Sequence, residues 1–291
     1  SRANILRKRC LQTMTGWRWC SLSAVVEKTI RLNGAPVTTA AETYADLRTD
    51  AVDTLIVNGH ARPWQQMVIE GDDVLLFAAD KRPSPALWRA IYDARYGRDV
   101  MDRLQAGSVA ICGLGGLGSL VALELGRLGV GRLLLIDGDV VDPTNLARQH
   151  YFASQIGQCK TDALASTLAE CAPLTAVETR SVWLDGDNIA SLLAHWPIIC
   201  KCMDRPETKA LLTQSVLSEL PDATLVGASG MAGYGSGNAI VTNRVLPRLY
   251  MTGDGTSEGE EGIGLMAPRV GLCASAQATM VMRLLLGEPT P

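Results

Sequence analysis

Only two phenylalanines and three histidines occur in the 291 residues, and no two cysteines have the C-x-x-C spacing. Without such pairs the chain lacks the usual thiolate clamp of a structural zinc. His60, His150 and His195 lie far apart, with no cysteine or carboxylate pattern around them, so no zinc is expected. Long apolar runs are missing too. The best, Leu120 to Ile136, is broken by Glu124, Arg127 and Arg132, short of the ~18 residues that span a bilayer. Excess positive charge is also lacking: 27 Lys and Arg against 30 Asp and Glu give a formal charge of −3, which argues against a nucleic-acid partner. Eight cysteines are too few to staple a chain of this length, which points to a reducing compartment, the cytosol.

What is present is core material. The chain is 47% hydrophobic and 20% charged, with 28 glycines, the composition of a soluble globular protein of one large or two ordinary domains. Residues 1–27 read as a leader or extension, since Arg2, Arg7, Lys8, Arg9 and Arg18 meet no acid before Glu27. Residues 28–80 predict a small α+β unit. Asn33-Gly34 and Asn58-Gly59 are hairpin turns between apolar runs, Thr43 to Leu47 is a short helix, and Val74 to Phe77 is the last strand. Residues 81–85, with two prolines, form a linker. From 86 to 291 strands alternate with helices, which implies a Rossmann-like, doubly wound α/β sheet. Its strands are expected at Ser108 to Cys112, Arg132 to Ile136, Val177 to Trp183, Ile198 to Met203 and Thr224 to Val226.

Gly113-Leu114-Gly115-Gly116-Leu117-Gly118 follows the first of these strands and opens a helix. Glycines there permit a tight turn and leave helix N–H groups facing a phosphate. Asp137 ends the next strand, 24 residues beyond Gly113, where an acid can accept from a ribose hydroxyl. A nicotinamide dinucleotide would fit this fingerprint. The remaining residues favour a triphosphate: Arg148, Lys160 and Arg98 supply cations, and Asp204, at a strand's carboxyl end, can hold Mg²⁺.

The order of glycine loop, Asp137-Gly138-Asp139, Asn145-Leu146-Ala147-Arg148-Gln149, Gly157-Gln158-Cys159-Lys160 and Asp204 resembles the ThiF/MoeB/HesA branch of the ubiquitin-activating-enzyme superfamily, over roughly Ile91 to Leu286. The resemblance implies a homodimer that adenylates the C-terminal glycine carboxylate of a ubiquitin-like sulfur carrier, using ATP and Mg²⁺. It implies nucleotide contacts at Gly113, Gly115, Gly116, Gly118, Asp137, Thr144, Asn145, Leu146, Ala147, Arg148, Lys160, Asp204 and Arg205. Arg148, Lys160 and Asp204 would carry the chemistry, with Arg98 reaching into the neighbouring protomer's site. Residues 28–80 resemble the β-grasp carrier ThiS through Leu32-Asn33-Gly34 and Glu70-Gly71-Asp72-Asp73-Val74-Leu75-Leu76-Phe77. A carrier needs a free Gly-Gly terminus, whereas this strand continues as Ala78-Ala79-Asp80. The resemblance therefore implies a degenerate carrier fused to its activator, and a separate ThiS-type protein as substrate in thiamine synthesis.

Three alternatives stay open: an activator of a molybdopterin or cysteine-synthesis carrier, a non-catalytic carrier-binding module, and an NAD-dependent oxidoreductase. Arg205 stands where relatives often have Asn, and arginine cannot accept a hydrogen bond. The crossover segment, taken as Tyr250 to Ile263, contains no cysteine. It reads either as a solvated acidic loop or as a strap over a carrier tail. Cys200, Cys202 and Cys273 read as core thiols rather than nucleophiles.

Overall fold

A computed structural model describes residues 26–259 and 264–291. Expectations for residues 1–25 lie outside the described residues. The chain divides into two compact units between Tyr96 and Gly97.

The first unit begins with strands β1 (Lys28–Leu32) and β2 (Ala35–Thr39). Asn33 and Gly34 turn between them at φ 49° and 85°, the left-handed pair that matches strand twist. A 3-10 turn at Tyr44–Leu47 replaces the expected short helix. Strands β3 (Thr54–Val57), β4 (His60–Ala61) and β5 (Asp73–Phe77) complete a sheet of order β2-β1-β5-β3-β4. β1 and β5 run parallel, and the other neighbours are antiparallel. Ile30, Tyr44, Leu55, Val57, Val68, Val74 and Leu76 fill the core on one side. Buried Asp72 ties it together by accepting from the Tyr44 hydroxyl at 2.6 Å, the Ile69 N–H at 2.7 Å and the Asn58 amide at 3.0 Å. Those bonds and burial hold the Tyr44 phenol protonated.

Helix α1 (Pro85–Tyr96) belongs to this first unit. A side chain at Gly34 would press on Ala90 at 3.3 Å, and one at Gly59 on the Ala94 carbonyl at 2.8 Å. Both turn glycines thus serve backbone conformation and helix docking together.

The second unit opens with α2 (Arg98–Ala106), β6 (Ser108–Cys112), α3 (Gly116–Leu128) and β7 (Arg132–Ile136). It continues through α4 (Lys160–Cys171), β8 (Ala176–Arg180), α5 (Ile189–Leu193), β9 (Ile198–Lys201), α6 (Pro206–Glu219) and β10 (Thr224–Ala228). β11 (Val241–Leu246), β12 (Leu249–Gly253) and α7 (Ala267–Leu285) finish the chain. The sheet order is β11-β12-β10-β9-β6-β7-β8, parallel except for edge strand β11. β6 and β9 are neighbours whose chains depart in opposite directions along the sheet. That is a topological switch point, where the loops diverge and leave a crevice.

The structure corrects two readings of the sequence. Tyr250 to Gly253 is strand, paired with β10, so the crossover segment starts at Asp254. The strand expected at Val177 to Trp183 ends at Arg180.

Candidate functional site

At the switch point lies a cleft of about 590 Å³. Its floor is the turn from β6 into α3. Gly113 has φ 89°, and a side chain there would strike the Met203 amide nitrogen at 2.7 Å. At Gly118 a Cβ would fall 1.9 Å from the Gly113 carbonyl oxygen. Gly116 is closed in by Val270 and the Arg148 carbonyl at 2.9 and 3.2 Å. Gly115 alone of the four is open, with its nearest neighbour, Gln149, at 3.9 Å. It caps α3 without a side-chain hydrogen bond, so the first N–H groups of the helix keep their donor capacity toward the cleft.

Asp137 directly follows β7 and holds this turn in place. One carboxylate oxygen accepts from the Leu114 N–H at 2.6 Å, the other from the Asp139 N–H at 2.8 Å. The Tyr151 hydroxyl donates to the Leu114 carbonyl at 2.8 Å from the opposite side, and burial keeps that phenol protonated. Lys160, the first residue of α4, is buried, and its ammonium lies 2.9 Å from Asp139. The Lys160 backbone N–H also bonds the Asp139 carbonyl at 3.0 Å. This acid therefore aims the lysine and offsets part of the cost of burying its charge.

Arg148 follows a 3-10 turn at Pro143–Ala147. Asp142 caps that turn by accepting from the Thr144 hydroxyl at 2.6 Å and the Thr144 N–H at 2.8 Å, bonds that hold its carboxyl below the ordinary value. Asn145 is buried and accepts from the Asp142 N–H at 3.1 Å. Asp204 is exposed in the loop after β9 and makes no hydrogen bond or ion pair among the described residues.

Of the residues expected at a nucleotide site, Gly113, Gly115, Gly116, Asp137, Arg148, Lys160, Asp204 and Arg205 line the cleft. Gly118, Thr144, Asn145, Leu146 and Ala147 do not. Arg98 starts α2 and is likewise not among the lining residues.

Three residues were not anticipated. Gln149 is buried with its Oε1 atom unpartnered. Trp183 places its ring against Gly138 and beneath the Arg205 guanidinium, 5.2 Å away. Glu258 reaches the cleft from the crossover segment. Gln149 stood inside a quoted motif and Trp183 at a strand end, which were the signals available.

The crossover segment begins with a correction. Asp254 has a side chain only 11% exposed and is paired with Arg269 of α7, not freely solvated. Its oxygens also accept from the Thr256 and Ser257 N–H groups, each at 2.8 Å, and from the Ser257 hydroxyl at 2.6 Å. These bonds, with Arg269, hold the carboxyl far below the ordinary range. Residues 260–263 lie outside the described residues. Cys112, Cys200, Cys202 and Cys273 are buried. Burial pushes the Cys200 and Cys273 thiols up to about 12, and Cys112 and Cys202 are also raised, so these four are core thiols rather than thiolate nucleophiles.

A glycine turn at a switch point, facing cations and a free strand-end carboxylate, defines a nucleotide-binding α/β unit of the doubly wound class. Residues 89–291 match the ThiF family. The chain belongs to that family. It is 30% identical over 200 residues to molybdopterin-synthase adenylyltransferase of Escherichia coli, covering 66% of this chain and 78% of that protein. It is 31% identical over 237 residues to adenylyltransferase and sulfurtransferase uba4 of Pyricularia oryzae, covering 71% of this chain and 47% of that one. The chain thus spans about half the length of several curated relatives it matches. Among solved structures, the E. coli tRNA N6-threonylcarbamoyladenosine dehydratase TcdA in complex with ATP shares the fold, with TM-score 0.62, 18% identity, and coverage of 68% of this chain and 93% of that one.

Proposed function

We propose that this chain is an adenylyltransferase that uses ATP to activate the C-terminal glycine carboxylate of a separate ThiS-type sulfur carrier, for thiamine synthesis. One observation carries the reading: the glycine turn after β6 faces Arg148, Lys160 and an uncommitted Asp204 across one cleft. A carrier carboxylate oxygen attacks the α-phosphorus of ATP. The bond from that phosphorus to the bridging oxygen breaks, and pyrophosphate leaves with the electron pair. The products are carrier acyl-adenylate and pyrophosphate, so the demand on the protein is positioning and neutralisation of charge on the leaving group.

The α3 N–H groups, Arg148 and Lys160 hold phosphate oxygens in this reading, and Asp137, already fixed by two backbone donors, keeps spare lone pairs for a ribose hydroxyl. Asp204 has the donor chemistry for Mg²⁺. The ion would neutralise phosphate charge when bound. Thr144 to Ala147 and Gly118 act by holding Arg148 and the glycine turn. Arg98 completes the site of a second protomer in a cytosolic homodimer.

The first unit is read as a degenerate β-grasp carrier. Its central parallel pair β1 and β5, flanked by hairpins, supports this, while Ala78-Ala79-Asp80 after the last strand denies it a carrier's free glycine end. The relative named molybdopterin-synthase adenylyltransferase favours a second reading, activation of that pathway's carrier by the same chemistry.

ATP–pyrophosphate exchange tests both readings, with Mg²⁺ and separately supplied Gly-Gly-ended carriers of the ThiS and molybdopterin type. Exchange with the ThiS type alone is expected. Exchange with the molybdopterin type alone replaces the first reading by the second, and no exchange with either defeats both. Lys160→Ala is expected to cut exchange by about 100-fold or more.

A further inference from the structure

We propose that Lys201 is a positioning residue of the cleft, a buried positive charge beneath its floor that strengthens the hold on an anionic ligand without touching it. The inference rests on the nucleotide reading above and adds to it a residue that does not line the cleft.

Two lysines are buried among the described residues, and they are buried differently. Lys160 has a carboxylate against its ammonium, Asp139 at 2.9 Å. Lys201, the last residue of β9, is 8% exposed. Its ammonium meets only a hydroxyl, Thr213 Oγ1 of α6 at 2.8 Å. Taking an ammonium out of water with no opposing charge is costly, yet the fold makes room for it. Gly227 stands opposite Lys201 on β10, and a Cβ there would fall 2.8 Å from Lys201 Cε and 2.9 Å from the Met251 sulfur. Glycine weakens a strand interior, so the sheet gives up a side chain to lodge this amine.

Lys201 lies one layer below the cleft. Its strand neighbours are Cys112 of β6 and Gly227 of β10. Gly113, Cys202 and Ser229, one or two residues further along these three strands, line the cleft. Thr213 in turn donates to the Lys209 carbonyl at 2.7 Å, and Lys209 is part of the cleft wall. Among these neighbours Lys209 alone is charged, because burial holds the Cys112 thiol neutral. Burial, and then the like charge of Lys209, make the Lys201 amine easier to deprotonate than an ordinary lysine. Two cations coupled in this way lack an anion. A polyphosphate in the cleft supplies one, and a charge under the floor acts on it through protein rather than through salt-screened water. The arrangement lowers stability in the empty protein and raises affinity for an anion.

Titration of the full chain with Mg-ATP and with Mg-tripolyphosphate, beside urea unfolding, tests this. Lys201→Met keeps the length of the side chain and removes the charge. It is expected to weaken both ligands alike, about tenfold at neutral pH, while its urea midpoint stays equal to that of wild type or rises. Thr213→Val keeps the ammonium and removes its acceptor. Its Mg-ATP affinity should therefore begin to fall at a lower pH than that of wild type as the amine loses its charge, and in Lys201→Met that part of the pH dependence should be gone.

Unchanged Mg-ATP affinity in Lys201→Met overturns the proposal. So does a loss accompanied by a lower urea midpoint, which assigns Lys201 to packing, or a loss for Mg-ATP that spares tripolyphosphate, which assigns it to the base. Should Lys201→Met fail to fold, an alkaline fall in Thr213→Val identical to that of wild type overturns it instead. A wild-type chain that binds Mg-ATP but no tripolyphosphate is not capturing charge, which overturns the proposal and leaves the nucleotide reading standing. Binding of neither ligand defeats the nucleotide reading itself.

Discussion

The second unit contains two glycine-rich stretches, Gly113 to Gly118 and Gly230 to Gly237, and they use glycine for opposite ends. In the first, Gly113 and Gly118 are forced by backbone, because the Met203 amide and the Gly113 carbonyl occupy the space of a side chain, while Gly116 is closed in by the Val270 side chain and the Arg148 carbonyl together. The fourth, Gly115, faces the open cleft. In the second stretch the missing side chains make room for other side chains. Gly235 accommodates the Arg269 guanidinium at 2.8 Å and Gly237 the Leu272 tip at 2.7 Å, while Gly230, at φ 79°, makes room for the Asp254 carboxylate together with the Gly255 and Thr256 amides. One stretch brings main chain close to main chain and frees helix N–H groups. The other seats a largely buried ion pair that fastens the start of the crossover segment. Glycine count therefore does not mark a phosphate loop. What fills the Cβ position does.

Substitutions can sharpen or break this contrast. Gly118→Ala should have the largest effect, because its methyl meets a carbonyl oxygen at 1.9 Å and the β6–α3 turn must open. A loss of about 3 kcal/mol in urea unfolding is expected, and a loss under about 0.5 kcal/mol would show the turn to be soft. Next comes the ion pair of the second stretch. The Asp254 carboxyl is held well below its ordinary value, so its contribution is whole above the unfolded value of ~3.9 and is lost as pH falls through the folded one. Asp254→Asn should thus be less stable than wild type by a constant margin near neutral pH. The margin should shrink only below about pH 4. A margin already shrinking between about pH 7 and 5 would assign the effect to another group.

Gly115→Ala should barely change stability, within about 0.5 kcal/mol, yet weaken Mg-ATP about tenfold by placing a methyl where phosphate approaches. Equal ATP affinity would remove Gly115 from the binding face. The smallest effect is expected for Gly237→Ala. Leu272 is half-exposed and can turn its tip aside, so unfolding and ATP binding should both stay close to wild type.

Much of this architecture was legible in the sequence where local signals agree. Strand followed by helix recurs from Ser108 onward, and each apolar run is closed by glycine or a capping residue, so β6, α3, β7 and α4 fall where periodicity puts them. The paired Asn-Gly turns fixed both hairpins of the first unit. Legibility failed where tertiary contacts override local preference. β11 is an edge strand carrying Asn243 and Arg244, and Pro247 interrupts the approach to β12, so neither strand shows clean alternation. Asp254 sits among glycines and acids that suggest a solvated loop, yet its partner Arg269 is on a different element. Trp183 read as the end of a strand because aromatics favour strands. Its seat on Gly138 depends on two loops meeting, which no window of sequence contains.

Asp137 has a consequence for the thermodynamics of ligand capture. Its two oxygens grip the backbone of the glycine turn and of the acidic turn that bears Asp139 and, through Asp139, Lys160. These three parts are tied to one another before any phosphate arrives. Ligands that touch only this end should associate with little loss of protein conformational entropy.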